Sequence, residues 1–391
     1  MKIEKLIYGG AGLGRESGRV VLVPYVLPGE EVRIETVREK KDLIEARAAS
    51  IDEPAAERIE PACKYFTHCG GCHYQQAGAE FQLAQKREIL IEVLRRVGKI
   101  EAPAEIKTIG GPAWEYRNRA QFHIVKGHIG YAAAGSHELI PIDSCPISSP
   151  KINATLAIMK RMAKKRDWPD FLRSIEVFTN ERDVQLNVIE TEGEFHVAKR
   201  FFDWCAQEIP GFVHGPIVYE GYQVSGNSFF QVNRFLIKDL IQTVMAGAEG
   251  MTALDLYAGA GLFTLPLASR FDRVTAVEVN RGAYGDLEVN SKKSRGQIET
   301  VRRPVEMYLD ELRQTPVFVV ADPPRAGLGK DVVKQLCRLK PKRVVIVACD
   351  PATLARDLAG LIAGGFKIDA MTLVDLFPQT YHMETVVALS A

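Results

Sequence analysis

The stretch "TALDLYAGAGLFTLPLA", Thr252–Ala268, reads as an apolar strand, a tight Gly259-Ala260-Gly261 turn and the start of a helix. A strand that passes through a glycine turn directly into a helix is the opening unit of a doubly wound α/β sheet. The text downstream keeps the alternation. "RVTAVEVN", Arg273–Asn280, is a second strand, and "PVFVVADPPRAGL", Pro316–Leu328, and "RVVIVACDPATLARDL", Arg343–Leu358, each run from an apolar strand into a proline-bearing turn. "AMTLVDLFPQTYHMETVVALSA", Ala370–Ala391, ends the chain with what reads as a closing pair of strands. Ligands of such sheets collect at the carboxyl ends of the strands, which here carry Glu278, Asp322 and Cys349.

Glu278 follows Asp255 by 23 residues and ends the second strand, where a carboxylate binds ribose hydroxyls. A nicotinamide dinucleotide and S-adenosylmethionine (SAM) both use such an acid. The turn lacks the third glycine of a dinucleotide fingerprint, and the terminal strand pair is of the kind that closes methyltransferase sheets, so SAM is favoured.

Upstream of this half, "AEFQLAQKREILIEVLRRVGKI", Ala79–Ile100, carries Phe81, Leu83, Ile89, Leu90, Val93 and Leu94 at helical spacing. From about 112 to 228 the text is strand-rich ("RAQFHIV", "IEVFTN", "DVQLNVIE", "PIVYEGYQV") and predicts an α+β domain. "FFQVNRFLIKDLIQTVMAG", Phe229–Gly247, predicts a long helix with Asn233 as its cap.

"PACKYFTHCGGCHYQQ" sets Cys63, Cys69 and Cys72 in a C-x5-C-x2-C spacing, and "DSCPIS" adds Cys145. Four thiolates suffice for a metal centre. Zinc ligands come as two close pairs more often than as a triplet and a singleton, so the spacing favours a 4Fe–4S cluster. His68 and His73 read as loop-packing or substrate-facing residues and not as ligands, and Cys205 and Cys337 as core thiols.

The N-terminal "YGGAGLGRESGRVVLVPYVLPGEEVRIETV", Tyr8–Val37, imitates a dinucleotide fingerprint, but Gly18 is followed by a β-branched run and not by a helix. With the short apolar run that leads to "EARAASI", Glu45–Ile51, the N-terminal part makes four or five short strands, which predict a small Greek-key barrel of OB type, a module that commonly binds irregular nucleic acid. The arrangement resembles the TRAM domain that precedes RNA-modifying enzymes.

The 391 residues suit several domains, and no apolar run approaches the roughly 20 residues of a membrane span. "MKIEKLIYGG" lacks the pattern of a secretory signal, which predicts a cytoplasmic protein whose seven cysteines stay out of structural disulfides. With a net charge of only +1, a nucleic-acid surface has to be local. Basic clusters stand at 116–119, 160–166, 292–295 and Arg302-Arg303, each of which taken alone is a solvated face.

A cysteine beside a SAM pocket has a chemical use. Uracil C5 is a poor nucleophile until a thiolate adds at C6, after which C5 takes a methyl group and a base removes its proton so that the thiol can leave. Cys349 is the candidate nucleophile and Glu384, in "HMET", the candidate base. "FFQVN", "DLYAGAGLFTLPLA", "ADPPRAGL", "ACDPATLARDL" and "FPQTYHMETVV" together resemble, in order, the motifs of the RNA uracil-5 methyltransferases of the TrmA/RumA family, over essentially the whole chain. The resemblance implies SAM contacts from Gln231, Tyr257, Glu278 and Asp322, with Cys349 as nucleophile and Glu384 as general base. Leu262 and Asp350 depart from asparagines found in family members, which puts hydrogen bonding behind the reacting groups in question.

The fold so implied is multidomain α/β. A TRAM-like OB barrel spans 1–56, and a central α+β iron–sulfur domain spans 57–81 and 109–228. A Rossmann-like class I SAM methyltransferase domain spans 82–108 and 229–391. The barrel and the cysteine set resemble the ribosomal branch more than the bacterial tRNA branch. That favours C5-methylation of a 23S rRNA uridine by a monomer, with tRNA as the alternative substrate and a noncatalytic iron–sulfur RNA-binding protein as the remote one. Extruding the target uridine costs a few kcal/mol. Arg117, Arg119 and Lys165 are the candidate RNA contacts.

Overall fold

In a computed structural model, residues 1–193, 198–226 and 228–391 are described. The catalytic half is built on one eight-stranded sheet. Its order from edge to edge is Gln297–Val301, Phe271–Val277, Gly250–Leu256, Phe318–Ala321, Arg343–Ala348, Glu384–Ser390, Lys367–Val374 and Lys107–Ile109. All neighbours pair in parallel except Glu384–Ser390, which runs antiparallel to both of its neighbours.

Side chains alternate between two buried faces, as a sheet covered on both sides requires. Leu254, Leu256, Val319, Ala321, Val344, Ile346, Val387 and Leu389 join the core under helices Gly329–Leu339 and Pro351–Ala363. Ala253, Phe318, Val320, Val345, Val347, Val386 and Ala388 join the core under Ile237–Val244.

The helix opened by Ala79 runs to Val93 and widens into a π-helical turn over Leu94–Gly98. Ile89, Leu90 and Leu94 are buried as the periodicity predicts. So are Gln82 and Lys86, which periodicity alone would leave in solvent. Lys86 is fully buried and donates to the Asp375 carboxylate at 2.7 Å and to the Phe377 carbonyl at 2.9 Å. The predicted long helix after Asn233 is shorter than expected, only Ile237–Val244. The Asn233 side-chain oxygen accepts from the Phe235 and Leu236 amides, so it caps a turn that precedes the helix.

Five strands between Ile3 and Glu53 pair in chain order first, second, third, fifth, fourth. The third and fifth are parallel, and a Lys2–Glu31 bridge joins the first to the fourth, so the sheet closes into a Greek-key barrel. The central sheet is antiparallel, ordered Val184–Thr191, Leu172–Thr179, Arg119–Val125, His128–Ala132, Leu139–Pro141. Helix Pro150–Met162 packs on it through Ile152, Leu156 and Met159. No helix among the described residues is long and apolar enough to cross a membrane.

Candidate active site

Strand Gly250–Leu256 turns into its helix through left-handed backbone at Tyr257 (φ 60°), Gly259 (φ 56°) and Gly261 (φ 95°). Glycine adopts that region at little cost, whereas tyrosine is strained there, a signature of a backbone bent for a ligand. One amide of this turn, that of Gly259, faces Glu278. Gly259 N donates to one carboxylate oxygen at 2.8 Å and Asn280 N to the other at 2.6 Å, so the acid is fixed beside the glycines.

The turn is roofed by a hairpin, Ile217–Tyr219 with Tyr222–Val224. Asn290 makes the junction: its amide nitrogen donates to the Gln223 and Ala260 carbonyls, each at 2.9 Å, and its oxygen accepts from Gln223 N at 2.7 Å. Asp286 accepts from the Ser225 amide and hydroxyl. Neither residue was singled out by the sequence, because partners more than 60 positions away leave no local trace. Past the hairpin the chain leads to Gln231, which is buried with its side-chain oxygen unpaired. A buried carbonyl without a donor is costly and marks a place where a ligand can donate.

The candidate nucleophile and the candidate base meet because the last strand is reversed. Being antiparallel, Glu384–Ser390 begins at the edge where the parallel strands end, and the pairing of Ala348 with Thr385 sets Cys349 beside Glu384. Asp322, at the end of the neighbouring strand, completes the group. Burial drives the Cys349 thiol up to about 12, with Glu384 and Asp322 adding to the rise and Arg325 opposing it. Burial raises Glu384 well above the carboxylate range, Asp322 adding to it, and burial raises Asp322 as well.

Asp255 belongs to the same cluster and was quoted in the motif without a role. Its carboxyl is pushed up to about 7 by burial, with Asp322 and Glu278 contributing and a Thr264 hydroxyl at 2.5 Å opposing. One of its oxygens is buried without a partner. Burial, followed by Glu306 and Asp357, also raises the Tyr257 phenol. The edge is thus crowded with carboxyl groups that resist ionisation, an environment suited to a cation.

Of the two departures from the family pattern, Asp350 keeps the capping role open to an asparagine. One carboxylate oxygen accepts from Ala352 N and Thr353 N, both at 2.9 Å, at the start of Pro351–Ala363. Leu262 is buried, and its carbonyl accepts from the Tyr222 hydroxyl at 3.0 Å.

Cys63, Cys69, Cys72 and Cys145 line one cavity of about 390 Å³. Local bonds aim the loops. Gln75 accepts from Cys63 N at 3.1 Å, Gly70 N donates to Ala132 O at 3.1 Å, and Asn153 clasps both backbone groups of Cys145. Burial pushes the Cys72 thiol up to about 12, and the other three cysteines each add to the rise. Among the described residues no trio of His, Cys, Asp or Glu stands where it could hold a metal ion. A single zinc would need its sulfurs at about 2.3 Å, hence in close contact with one another, whereas a cuboidal cluster binds each thiolate through a different iron and needs them around a wider space. Four thiols lining one cavity are soft donors of the kind that metal centres use.

The candidate RNA contacts are redistributed. Arg119 is buried: it donates to the Ser228 carbonyl at 2.6 Å, lies 4.4 Å over the Phe178 ring and faces Glu176, so it braces the central sheet. Arg117 lines the cysteine cavity, with its Nε donating to the Arg119 carbonyl at 2.8 Å. Their basic spacing resembled a surface patch because sequence does not reveal which side of a strand faces a core. Lys165 is exposed, yet it is paired with Glu208 at 2.6 Å and lies over Trp204. His73 and His382 flank Tyr381, with ring centroids 4.6 and 4.3 Å away. Burial lowers each histidine to about 4, so both are neutral rings at pH 7.

A glycine turn facing a strand-end acid, on a parallel sheet closed by one reversed strand, defines a SAM-dependent methyltransferase. The chain belongs to the RNA uracil-5 methyltransferases: the family model described as tRNA (Uracil-5-)-methyltransferase matches residues 217–303 and 295–391. An uncharacterized RNA methyltransferase of Thermotoga maritima is 32% identical, covering 100% of this chain and 98% of its own length. The 23S rRNA (uracil(1939)-C(5))-methyltransferase RlmD of Shewanella woodyi is 28% identical over 98% of this chain and 94% of its own. The crystal structure of the Pyrococcus abyssi tRNA (uracil-54, C5)-methyltransferase, in complex with S-adenosyl-L-homocysteine, superposes with a TM-score of 0.76 at 25% identity, covering 100% of this chain and 99% of that one.

Proposed function

We propose that this protein methylates C5 of a uridine in 23S rRNA through a covalent Cys349–C6 adduct. The observation that carries the reading is the antiparallel pairing that sets Cys349 beside Glu384 at the ligand-binding edge of the sheet. SAM, when bound, supplies a methyl group on a cationic sulfur. Tyr257, Glu278, Gln231 and Asp322 hold it, Glu278 at the ribose and Gln231 through the carbonyl that now lacks a donor.

Cys349 Sγ adds to uracil C6 and loses its proton to the neighbouring carboxylates. The electron pair of the C5=C6 bond moves into the C5–C4–O4 enolate. C5 then accepts the methyl group, Glu384 removes the remaining C5 proton, and the C6–S bond breaks to restore the thiolate and the aromatic ring. Burial holds Cys349 and Glu384 protonated in the free site; the positive charge of bound SAM favours ionisation of the carboxyl cluster, which lets a carboxylate take the Cys349 proton and leaves Glu384 ionised to take the C5 proton.

Cys63, Cys69, Cys72 and Cys145 would hold a 4Fe–4S cluster. The guanidinium of Arg117 lines the same cavity and offsets the negative charge that four thiolates would bring. The N-terminal barrel is a TRAM-type module that grips RNA near the site, through shape and phosphates. The likeness to the archaeal tRNA enzyme over the full chain keeps tRNA as the second reading. Transfer of labelled methyl from SAM to unmodified 23S rRNA and, separately, to unmodified tRNA, with the product mapped, decides between them. Label confined to 5-methyluridine in rRNA supports the ribosomal reading, and label only in tRNA overturns it.

A further inference from the structure

The barrel does not end at its own core. Ile3 packs inside it, whereas Leu6 and Tyr8 pack into the core of the catalytic sheet, and Lys5 pairs with Glu92 of helix Ala79–Val93 at 2.6 Å. Tyr8 lies on the turn between the first two barrel strands, a turn closed by Ile7 N to Ala11 O at 2.9 Å and Gly10 N to Ile7 O at 3.2 Å. Gly10, at φ 92°, lets this turn lie flat on the cysteine-bearing loop, since a Cβ there would come within 3.0 Å of the His73 ring. The Tyr8 hydroxyl reaches the backbone carbonyl of Cys349 at 3.5 Å, across 341 positions of chain. Its ring stands edge-on to Tyr381 at 5.5 Å.

We propose that Tyr8 is a positioning residue for the nucleophile, by which the barrel holds the Cys349–Asp350 peptide and makes methyl transfer depend on the barrel being seated. The inference rests on the assignment of Cys349 as nucleophile. Cys349 follows strand Arg343–Ala348 directly and is separated from helix Pro351–Ala363 only by its cap Asp350, so the direction of its thiol follows from the backbone of this strand-to-helix junction. The helix side is fixed by Asp350, which caps it through two amides. The strand side is fixed by the pairing of Ala348 with Thr385. The Cys349 carbonyl between them is approached by Tyr8, and the phenol is half-buried there with the Asp350 carboxylate beside it. An RNA-binding module that contributes a side chain at the catalytic residue couples recognition to chemistry without a moving lid. A nucleophile displaced by even about 1 Å from its attack position loses on the order of a hundredfold in rate.

The test compares wild type with Tyr8→Phe, which keeps the ring and its contact with Tyr381 and removes only the hydroxyl. RNA carrying 5-fluorouridine at the methylated position traps the adduct, because C5 then has no proton to lose. The single-turnover rate of adduct formation is expected to fall about three- to tenfold, the effect of one net hydrogen bond. SAM and RNA dissociation constants and the thermal midpoint are expected to stay at wild-type values. Tyr8→Leu, which also removes the ring, is expected to lose more in rate than in RNA affinity. A Tyr8→Phe protein with the wild-type adduct rate overturns the proposal, and so does one that loses RNA affinity with its rate intact, which would make Tyr8 an RNA contact. Failure of the wild-type protein itself to form the adduct would refute the covalent reading and the proposal with it.

Discussion

Binding of SAM should expel protons from this protein. Asp255 is held near pH 7, and Asp322 and Glu384 are raised in the same cluster, so at neutral pH the free site carries protons that ordinary carboxylates would have lost. A cation held about 4 Å from one carboxylate at an effective dielectric of about 20 is worth about 4 kcal/mol, roughly a thousandfold in proton affinity. That is enough to return a group near pH 7 to the usual carboxylate range. The sign follows from linkage: a ligand that favours the deprotonated form releases protons and binds more tightly as pH rises. We expect release of about one proton per SAM at pH 7, with the dissociation constant falling by up to about tenfold per pH unit below pH 7 and levelling above about pH 8. Calorimetric titrations in buffers of different ionisation enthalpy count these protons directly. Asp255→Asn should reduce the count. Zero protons released by wild type at pH 7 would refute the electrostatic reading of the cluster.

Glu384→Gln should still add Cys349 to C6 and transfer the methyl group, then stall, so a methylated RNA–protein adduct accumulates on denaturing gels. Product released at the wild-type rate would remove Glu384 from its role. Lys86→Met leaves Asp375 buried and unpaired and should cost about 3–5 kcal/mol in denaturant unfolding, with most of it recovered in Lys86→Met/Asp375→Leu. Protein purified without oxygen should be brown and contain about four irons per chain, while zinc without iron would overturn the cluster assignment.

The parts of the fold that recur at short range were legible in the sequence. Alternating apolar strands interrupted by Gly-Ala-Gly, Asp-Pro-Pro and Cys-Asp-Pro predict the sheet and its strand ends, because turn residues and periodicity are local properties. The sequence named Cys349 and Glu384 as candidates, but that they are neighbours depends on the direction of the last strand, which no local pattern shows. What escaped depends on distant partners. Lys86 is buried because Asp375 waits for it, and Arg119 because Phe178 and Glu176 face it. Asp255 looked like part of a motif until its unpaired oxygen and its acidic neighbours gave it a role. The helix after Asn233 was overextended because an asparagine cap reads the same whether it closes a turn or opens a helix.

The central claim is that Cys349 bonds to uracil C6. Wild-type protein and Cys349→Ala would be incubated with SAM and 23S rRNA fragments bearing 5-fluorouridine, digested, and the cross-linked peptide mapped by mass spectrometry. The account predicts a nucleotide adduct on Cys349 that carries one transferred methyl group, with no adduct and no methyl transfer in Cys349→Ala although SAM still binds. Methyl transfer at the wild-type rate by Cys349→Ala would contradict it.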